Sequence, residues 1–171
     1  MKQKRTGQTA GYVRTFVFGV EDSLVSTVGL LSGIAIGGLS KPQIILTGVV
    51  LLFVEAFSMA VGSLISEQSA EEYVKHREVP ITNDIVNSMI MFISYFLFGL
   101  IPLAPYLFLP PQQALLFSIL ITLAFLFLLG VVGAVVFKIN ILKNGIRTLA
   151  LGGTAIIVGV VAATWLQKRG Y

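Results

Sequence analysis

Long apolar segments separated by short polar ones form the dominant pattern along this chain. A helix needs about 20 apolar residues to cross the hydrocarbon core of a bilayer, and five segments reach that length. A transmembrane β-barrel would instead show segments of roughly ten residues that alternate between apolar and polar positions. The pattern therefore predicts an all-α polytopic membrane protein with five transmembrane helices. The predicted spans are approximately residues 15–39, 43–66, 86–109, 114–137 and 146–166.

The polar segments between the spans are short. The prolines of segments 41–42 and 110–111 are typical of tight connections, because proline fits the first turn of a helix and disfavours helix in the residue before it. The longest connection, residues 67–85, is predicted to be a short acidic cytoplasmic loop, whose first half could extend the second helix until Pro80 stops it. These segments leave no room for a second globular domain, so we expect residues 1–171 to form a single transmembrane domain.

The composition supports the same class of protein. The chain is 56% hydrophobic and 12% charged, whereas soluble domains carry about 25% charged residues. It contains no cysteine, which excludes disulfides, thiolate metal sites and cysteine nucleophiles. The net charge of +4 is concentrated near the ends of spans, where it indicates a role in topology rather than nucleic-acid binding. Membrane lipid is the expected surrounding, and nucleic acid is not an expected partner.

Lysine and arginine are distributed unevenly between the two ends of the spans. Cytoplasmic segments of membrane proteins carry an excess of these residues. The excess here predicts a cytoplasmic N-terminus, and the small size of the chain favours a bacterial or archaeal plasma membrane, with a vacuolar-type membrane as the alternative. The residues that set this orientation are Lys2, Lys4, Arg5, Arg14, Lys75, Arg77, Lys138, Lys143 and Arg147.

Two acids, Glu21 and Asp22, lie inside the first span, which is otherwise apolar or small. A charge in hydrocarbon is costly, so an acid within a span marks an ion or proton path by default. Both are candidates for lining such a path, although a helix turns about 100° per residue and the two cannot face it equally. We expect the glycines on the Asp22 face to serve close helix packing. The positions that share this face are Ser26, Gly29, Gly33 and Gly37.

The second span contains another polar stripe. Glu55, Met59 and Gly62 fall on one helical face, with Ser58 at its edge. Counted from the cytoplasmic ends of the two spans, Met59 is level with Asp22, and Glu55 is one turn deeper. Gly62 is expected to be a packing residue, and the other three side chains are predicted to line the path.

Two carboxylates and a thioether at similar depth predict the chemistry of this path. Carboxylates bind hard and borderline divalent cations, and a thioether contributes more to softer transition metals than to Mg²⁺ or Ca²⁺. This set of donors fits Fe²⁺ or Mn²⁺ best. The same carboxylates can bind protons when metal is absent, so metal and protons would compete for one site. The leading hypothesis from these residues is transport in which Fe²⁺ or Mn²⁺ is exchanged for protons, with no permanently bound cofactor.

Two other functions are open from the residues alone. One is a passive divalent-cation channel, and the other is a non-transporting membrane scaffold subunit whose glycine face packs helices. An enzyme is not predicted. The single histidine, His76, lies among charged loop residues and there is no cysteine, so acyl-transfer chemistry lacks its usual groups.

The two stripes resemble motifs of the vacuolar iron transporter family. The first-span motif stands here as Gly19-Val-Glu-Asp22-Ser-Leu-Val-Ser-Thr27, followed by a glycine-rich tail. The second-span pattern Ser-Met-Ala/Gly-x-Gly stands as Ser58-Met59-Ala60-Val61-Gly62. The resemblance covers essentially the whole chain. It implies a homodimer with a metal path between the first two spans of each protomer, driven by proton exchange, and it matches Asp22 and Met59 to the family's translocation-site aspartate and methionine.

The chain departs from the family pattern at two positions and in one connection. Ser23 stands where a glycine usually follows the aspartate, and Ser63 stands where a glutamate usually follows the second motif. The glutamate-rich cytoplasmic domain of plant and yeast members is reduced here to the 67–85 segment. Its candidates for an acidic rim at the cytoplasmic mouth of the path are Glu67, Glu71 and Glu72.

Overall fold

Five long helices make up the structure, a computed structural model that describes residues 2–80 and 84–169 and, of these, the side chains from residue 9 onwards except that of residue 84. Each helix contains a stretch that is long and apolar enough to cross a membrane, and no strand occurs in the described ranges. The prediction of an all-α protein with five transmembrane helices is confirmed. The helices are α1 (Lys2–Ile36), α2 (Lys41–Lys75), α3 (Asp84–Phe108), α4 (Pro111–Phe137) and α5 (Ile141–Lys168).

The first two helices extend well beyond the predicted spans. α1 begins at Lys2 rather than near residue 15, and α2 continues to Lys75 rather than ending near residue 66. Each has 35 residues and is therefore about 52 Å long, whereas the hydrocarbon core is about 30 Å thick. The predicted loop at 67–85 is thus helical as far as Lys75, and its residues 81–83 lie outside the described residues.

Local sequence explains where several helices begin and end. At the start of α2, the backbone N–H of Ser40 donates to Gln43 Oε1 at 2.9 Å. At the start of α5, Asn140 Oδ1 accepts from the backbone N–H of Lys143 at 2.9 Å, which satisfies one of the free donors of the first turn. α2 ends because His76 adopts the left-handed conformation, with φ of 48°.

α3 lies at the centre of the bundle. It packs extensively against both α1 and α2, whereas α1 and α2 contact each other only slightly. α5 packs against α4 and α1. One buried apolar cluster, which includes Leu52 and Tyr95, forms where α1, α2 and α3 meet. A second, which includes Leu24, Leu126 and Ile156, forms between α1, α4 and α5.

Successive helices run in opposite directions, and this defines two ends of the bundle. The end that holds the first residues of α1 and the α2–α3 and α4–α5 connections is called the amino-terminal side. The last turns of α1 and α5 meet at the opposite end, where Gln167 Nε2 donates to the carbonyl oxygen of Ile36 at 2.6 Å. The two polar stripes therefore lie on antiparallel neighbours, one on α1 and one on α2.

Candidate functional site

Two acids on different spans form the electrostatic centre of the candidate site. Asp22 on α1 and Glu55 on α2 lie close enough for their charges to interact, and both side chains are partly buried. Two carboxylates near each other repel, more strongly where water is scarce, so a cation or a proton between them relieves the repulsion. The structure thus brings together two of the side chains predicted from the sequence to line the path.

A buried tyrosine on α3 contacts the same region. Tyr95 is fully buried, and its hydroxyl oxygen lies 2.6 Å from Ser26 Oγ on α1. Its backbone carbonyl accepts a hydrogen bond from Ser23 Oγ. The hydroxyl is also close enough to Asp22 and Glu55 to interact with their charges. The Tyr95 hydroxyl therefore lies on the α3 side of the Asp22–Glu55 pair.

An open cavity of about 570 Å³ lies between α1 and α2 on the amino-terminal side. Met59 and Ser58, two of the predicted path residues, line it, whereas Asp22 and Glu55 are not among its lining residues. Glu55 lies one helical turn from Met59, so the acids lie next to the cavity rather than within it. The full lining is Arg14, Thr15, Phe18, Ser58, Met59, Gly62, Ser63, Ser66, Glu67 and Met91.

Glu21 has a different electrostatic environment from Asp22. The charges that act on it are those of Asp22 and of Arg147 on α5, whereas the charge that acts on Asp22 from another helix is that of Glu55. Glu21 is therefore directed toward the α5 side of α1. Arg147 is thus a cation that acts on Glu21 from another helix.

The three glutamates predicted at the cytoplasmic mouth have separate partners. Glu67 lines the cavity and accepts a hydrogen bond from Asn87 Nδ2 on α3. Glu71 forms an ion pair with Lys75 one turn along α2. Glu72 accepts from Gln68 Nε2 at 3.2 Å, and neither it nor Glu71 is among the cavity-lining residues. Glu67 alone of the three faces the cavity.

The glycines predicted to pack helices divide between two environments. A Cβ at Gly159 of α5 would lie 3.5 Å from the Cα of Gly29, and a Cβ at Gly33 would lie 3.6 Å from that of Ala163, so these α1 glycines lie at the α1–α5 contact. Gly37 follows the end of α1, where a Cβ would meet carbonyl oxygens of the preceding turn. Gly62 lines the cavity, and a Cβ there would meet no atom within 4 Å, so it packs against no other helix of the protomer.

Few side chains in the described part of one protomer lie together so that they could coordinate a metal ion. In residues 2–80 and 84–169, no group of three or more histidine, cysteine, aspartate or glutamate side chains could hold a metal ion. A carboxylate pair leaves most of the coordination sphere of Fe²⁺ or Mn²⁺ to water, hydroxyl oxygens or a thioether.

Two polar contributors were missed in the sequence. Tyr95 lies in the apolar run Phe92–Gly99 and looks there like a packing residue. Arg147 was assigned only to topology, although its charge acts on Glu21. The sequence could have indicated Tyr95, because its hydroxyl lies in the middle of an apolar span and a buried tyrosine hydroxyl needs a hydrogen-bond partner.

Comparison with known proteins returns one family. The model of the VIT family matches residues 13–80 and 75–164, which include both polar stripes, the cavity and most of all five helices. A search of curated proteins returned no significant match. With five apolar helices and paired acids within them, the match shows that this chain is an integral, multi-pass membrane protein of the VIT, or vacuolar iron transporter, family, whose members are membrane transporters rather than enzymes.

Proposed function

We propose that the protein exports Fe²⁺ or Mn²⁺ from the cytoplasm in exchange for protons, and that it does so as a homodimer. The observation that carries this proposal is the pair of interacting carboxylates, Asp22 and Glu55, on two neighbouring transmembrane helices. A divalent cation carries the charge that neutralises both. Protons bound to the same oxygens do the same, so cation and protons exclude each other from the site.

The cavity supplies the approach to this pair. It carries the Met59 thioether and the hydroxyls of Ser58, Ser63 and Ser66 on one side of α2. Hydroxyl oxygens replace part of the hydration shell of an entering cation, and the thioether favours softer transition metals over Mg²⁺ and Ca²⁺. An ion that enters here passes Met59 one turn before it reaches Glu55.

The direction of transport follows from the distribution of basic residues. The cavity opens on the amino-terminal side, which carries most of the lysines and arginines of the chain. The excess of these residues in cytoplasmic segments assigns that side to the cytoplasm. A cavity open to the cytoplasm receives the ion there, and the opposing proton gradient supplies the free energy for export.

The homodimer is supported by the sparse site within one protomer. The described residues provide two coupled acids and no larger cluster of metal-binding side chains. The outer face of α2 beside the cavity is also apolar and exposed, with Phe53, Val54 and Phe57 more than half exposed. A second copy against this face would place two acid pairs on either side of one shared path.

The proposal is tested by measuring Mn²⁺-dependent proton flux in proteoliposomes that contain the purified full chain. Asp22→Asn keeps the shape of the side chain and removes its charge, so it should abolish the flux. Glu71→Gln is the matched control, because Glu71 is paired with Lys75 and does not line the cavity. Undiminished flux in the Asp22→Asn protein would overturn the assignment of the site.

The same preparation separates the carrier from the two alternatives. A carrier moves protons against the Mn²⁺ flux even when no pH gradient is imposed. A passive channel moves Mn²⁺ without an obligatory proton flux, and a scaffold subunit moves neither. Replacing Mn²⁺ with Fe²⁺, Mg²⁺ or Ca²⁺ in this assay tests the role assigned to the thioether.

A further inference from the structure

Tyr95 connects the central helix to the segment of α1 that carries Asp22. We propose that Tyr95 is a positioning residue of the transport site, which fixes the rotation of α1 so that Asp22 stays directed toward Glu55. The inference rests on the proposed function for its role in transport. Its structural part concerns the orientation of α1 and can be measured without transport.

Two hydrogen bonds from one residue hold α1 in register with α3. Ser23 Oγ donates to the backbone carbonyl of Tyr95, and Ser26 Oγ lies 2.6 Å from the tyrosine hydroxyl oxygen. Ser23 directly follows Asp22, and Ser26 lies one helical turn further on. Because the two serines are three residues apart, they lie on one face of α1, about 60° apart, and bonds to both keep that face turned toward α3.

The buried hydroxyl of Tyr95 lowers the stability of the protein unless it forms a hydrogen bond. The residue is fully buried, and a buried hydroxyl without a partner is destabilising. A phenylalanine would fill the same apolar space without that requirement. The hydroxyl instead lies where the charges of Asp22 and Glu55 act on it, so it contributes a fixed dipole next to the acid pair.

Tyr106 provides a matched control on the same helix. It is also fully buried and belongs to the same apolar cluster as Tyr95. Its hydroxyl makes one long hydrogen bond, 3.5 Å to the carbonyl oxygen of Leu31, and no acid acts on it. Removing the two hydroxyls in turn separates an effect on the site from the general effect of removing a buried hydroxyl.

The transport experiment compares Tyr95→Phe, Tyr106→Phe, Ser26→Ala and Ser26→Thr in the full chain, with Mn²⁺ as the probe. Loss of a hydrogen bond beside the acids should raise the KM for Mn²⁺ about five- to tenfold in Tyr95→Phe and Ser26→Ala. Ser26→Thr retains the hydroxyl and should restore the KM of the unaltered protein, and Tyr106→Phe should leave it unchanged. Equal KM values for Tyr95→Phe and Tyr106→Phe, or no rescue by threonine, would overturn the proposal.

A labelling experiment tests the positioning role directly. The chain has no cysteine, so Asp22→Cys introduces a single thiol whose rate of reaction with a maleimide reports the orientation of α1. Tyr95→Phe in this background should change the rate severalfold, and Tyr106→Phe should not. Identical rates would refute the positioning role. Failure of the unaltered chain to transport Mn²⁺ would instead count against the proposed function, while the labelling rates still decide the role of Tyr95.

Discussion

At the scale of single residues, Glu67 is distinguished from its acidic neighbours on α2 by what it contacts. Its carboxylate lines the cavity and is held by Asn87 of α3, whereas Glu71 and Glu72 are bonded within their own helix. A carboxylate at the wall of a cavity raises the local concentration of cations, because the low-dielectric walls focus its field. In the proposed function, Glu67 would therefore attract the ion before it reaches the acid pair.

Neutralising Glu67 should weaken capture of the ion and leave the later steps unchanged. We expect Glu67→Gln to raise the KM for Mn²⁺ about two- to fivefold at low ionic strength, with no change in maximal rate, and the effect should shrink in about 0.5 M salt. Concentration-dependent flux in proteoliposomes measures both quantities. Glu72→Gln, which removes a carboxylate outside the cavity, should match the unaltered protein, and equal effects of the two variants would contradict the prediction.

The sequence predicts those residues of the candidate site that are unusual where they stand, whatever their partners in the fold. Asp22 and Glu55 were identified because an acid in an apolar span is costly wherever it lies. The roles of Tyr95 and Arg147 were not, because each depends on a partner that is distant in the chain. Ser26 and Tyr95 are 69 positions apart, and only the packing of α1 on α3 brings them together. Met59 is predicted to line the path with Asp22 and Glu55, and it lines the cavity next to these two acids.

At the scale of elements, the contact between α4 and α5 depends on a close approach of backbones at Gly130. A Cβ at this position would lie 2.8 Å from the carbonyl oxygen of Asn144 and 2.8 Å from the Cα of Gly145. The side chain of Asn144 also donates to the carbonyl of Gly130 at 2.7 Å, which ties the two helices together at the same level. Backbone atoms cannot rotate aside, so a methyl group here must separate the helices.

Gly130→Ala should accordingly lower the free energy of unfolding by about 1–3 kcal/mol, the usual cost of overpacking. Gly133→Ala on the same helix is the control, because its Cβ would meet the side chains of Asn144 and Phe137 at 3.6 Å, an ordinary contact. That variant should remain within about 0.5 kcal/mol of the unaltered protein. Unfolding by detergent titration measures both. A loss that is no larger in Gly130→Ala than in Gly133→Ala would show that α4 and α5 tolerate separation.

The spans were predictable from hydropathy, and so was the option that α2 continues beyond the second span, whereas the start of α1 at Lys2 was not. Hydropathy reports which residues suit hydrocarbon, whereas a helix continues into water wherever its backbone bonds can continue. The polar residues from Glu67 to Lys75 therefore lie in α2 although their composition resembles a loop. The end of α2 at His76, a left-handed residue four positions before Pro80, has no clear signal in the sequence.

At the scale of the whole molecule, α1 and α2 are joined mainly through α3, and the cavity between them is open on one side. Both outer helices pack on α3, and their direct contact is slight. The open side lies beside the exposed apolar face of α2, which includes Phe57 and Val61. In the proposed homodimer this side meets its copy, and in a monomer lipid covers it.

Cysteine cross-linking distinguishes these two arrangements. The chain has no natural cysteine, so Ser58→Cys places one thiol at the exposed edge of the cavity. We expect oxidation in membranes to convert most of this variant to a covalent dimer. Leu151→Cys on α5, a residue that is 57% exposed, is the control and should remain monomeric. Cross-linking of the α5 variant alone would place the interface elsewhere and contradict the proposed shared path.

The position of α3 has a mechanical consequence. Because α1 and α2 both pack extensively on α3 and contact each other only slightly, the distance between the Asp22 and Glu55 carboxylates is set mainly by how each helix packs on α3. One buried apolar cluster joins the three helices. A side-chain change in α3 can therefore alter the spacing of the two acids without touching either of them.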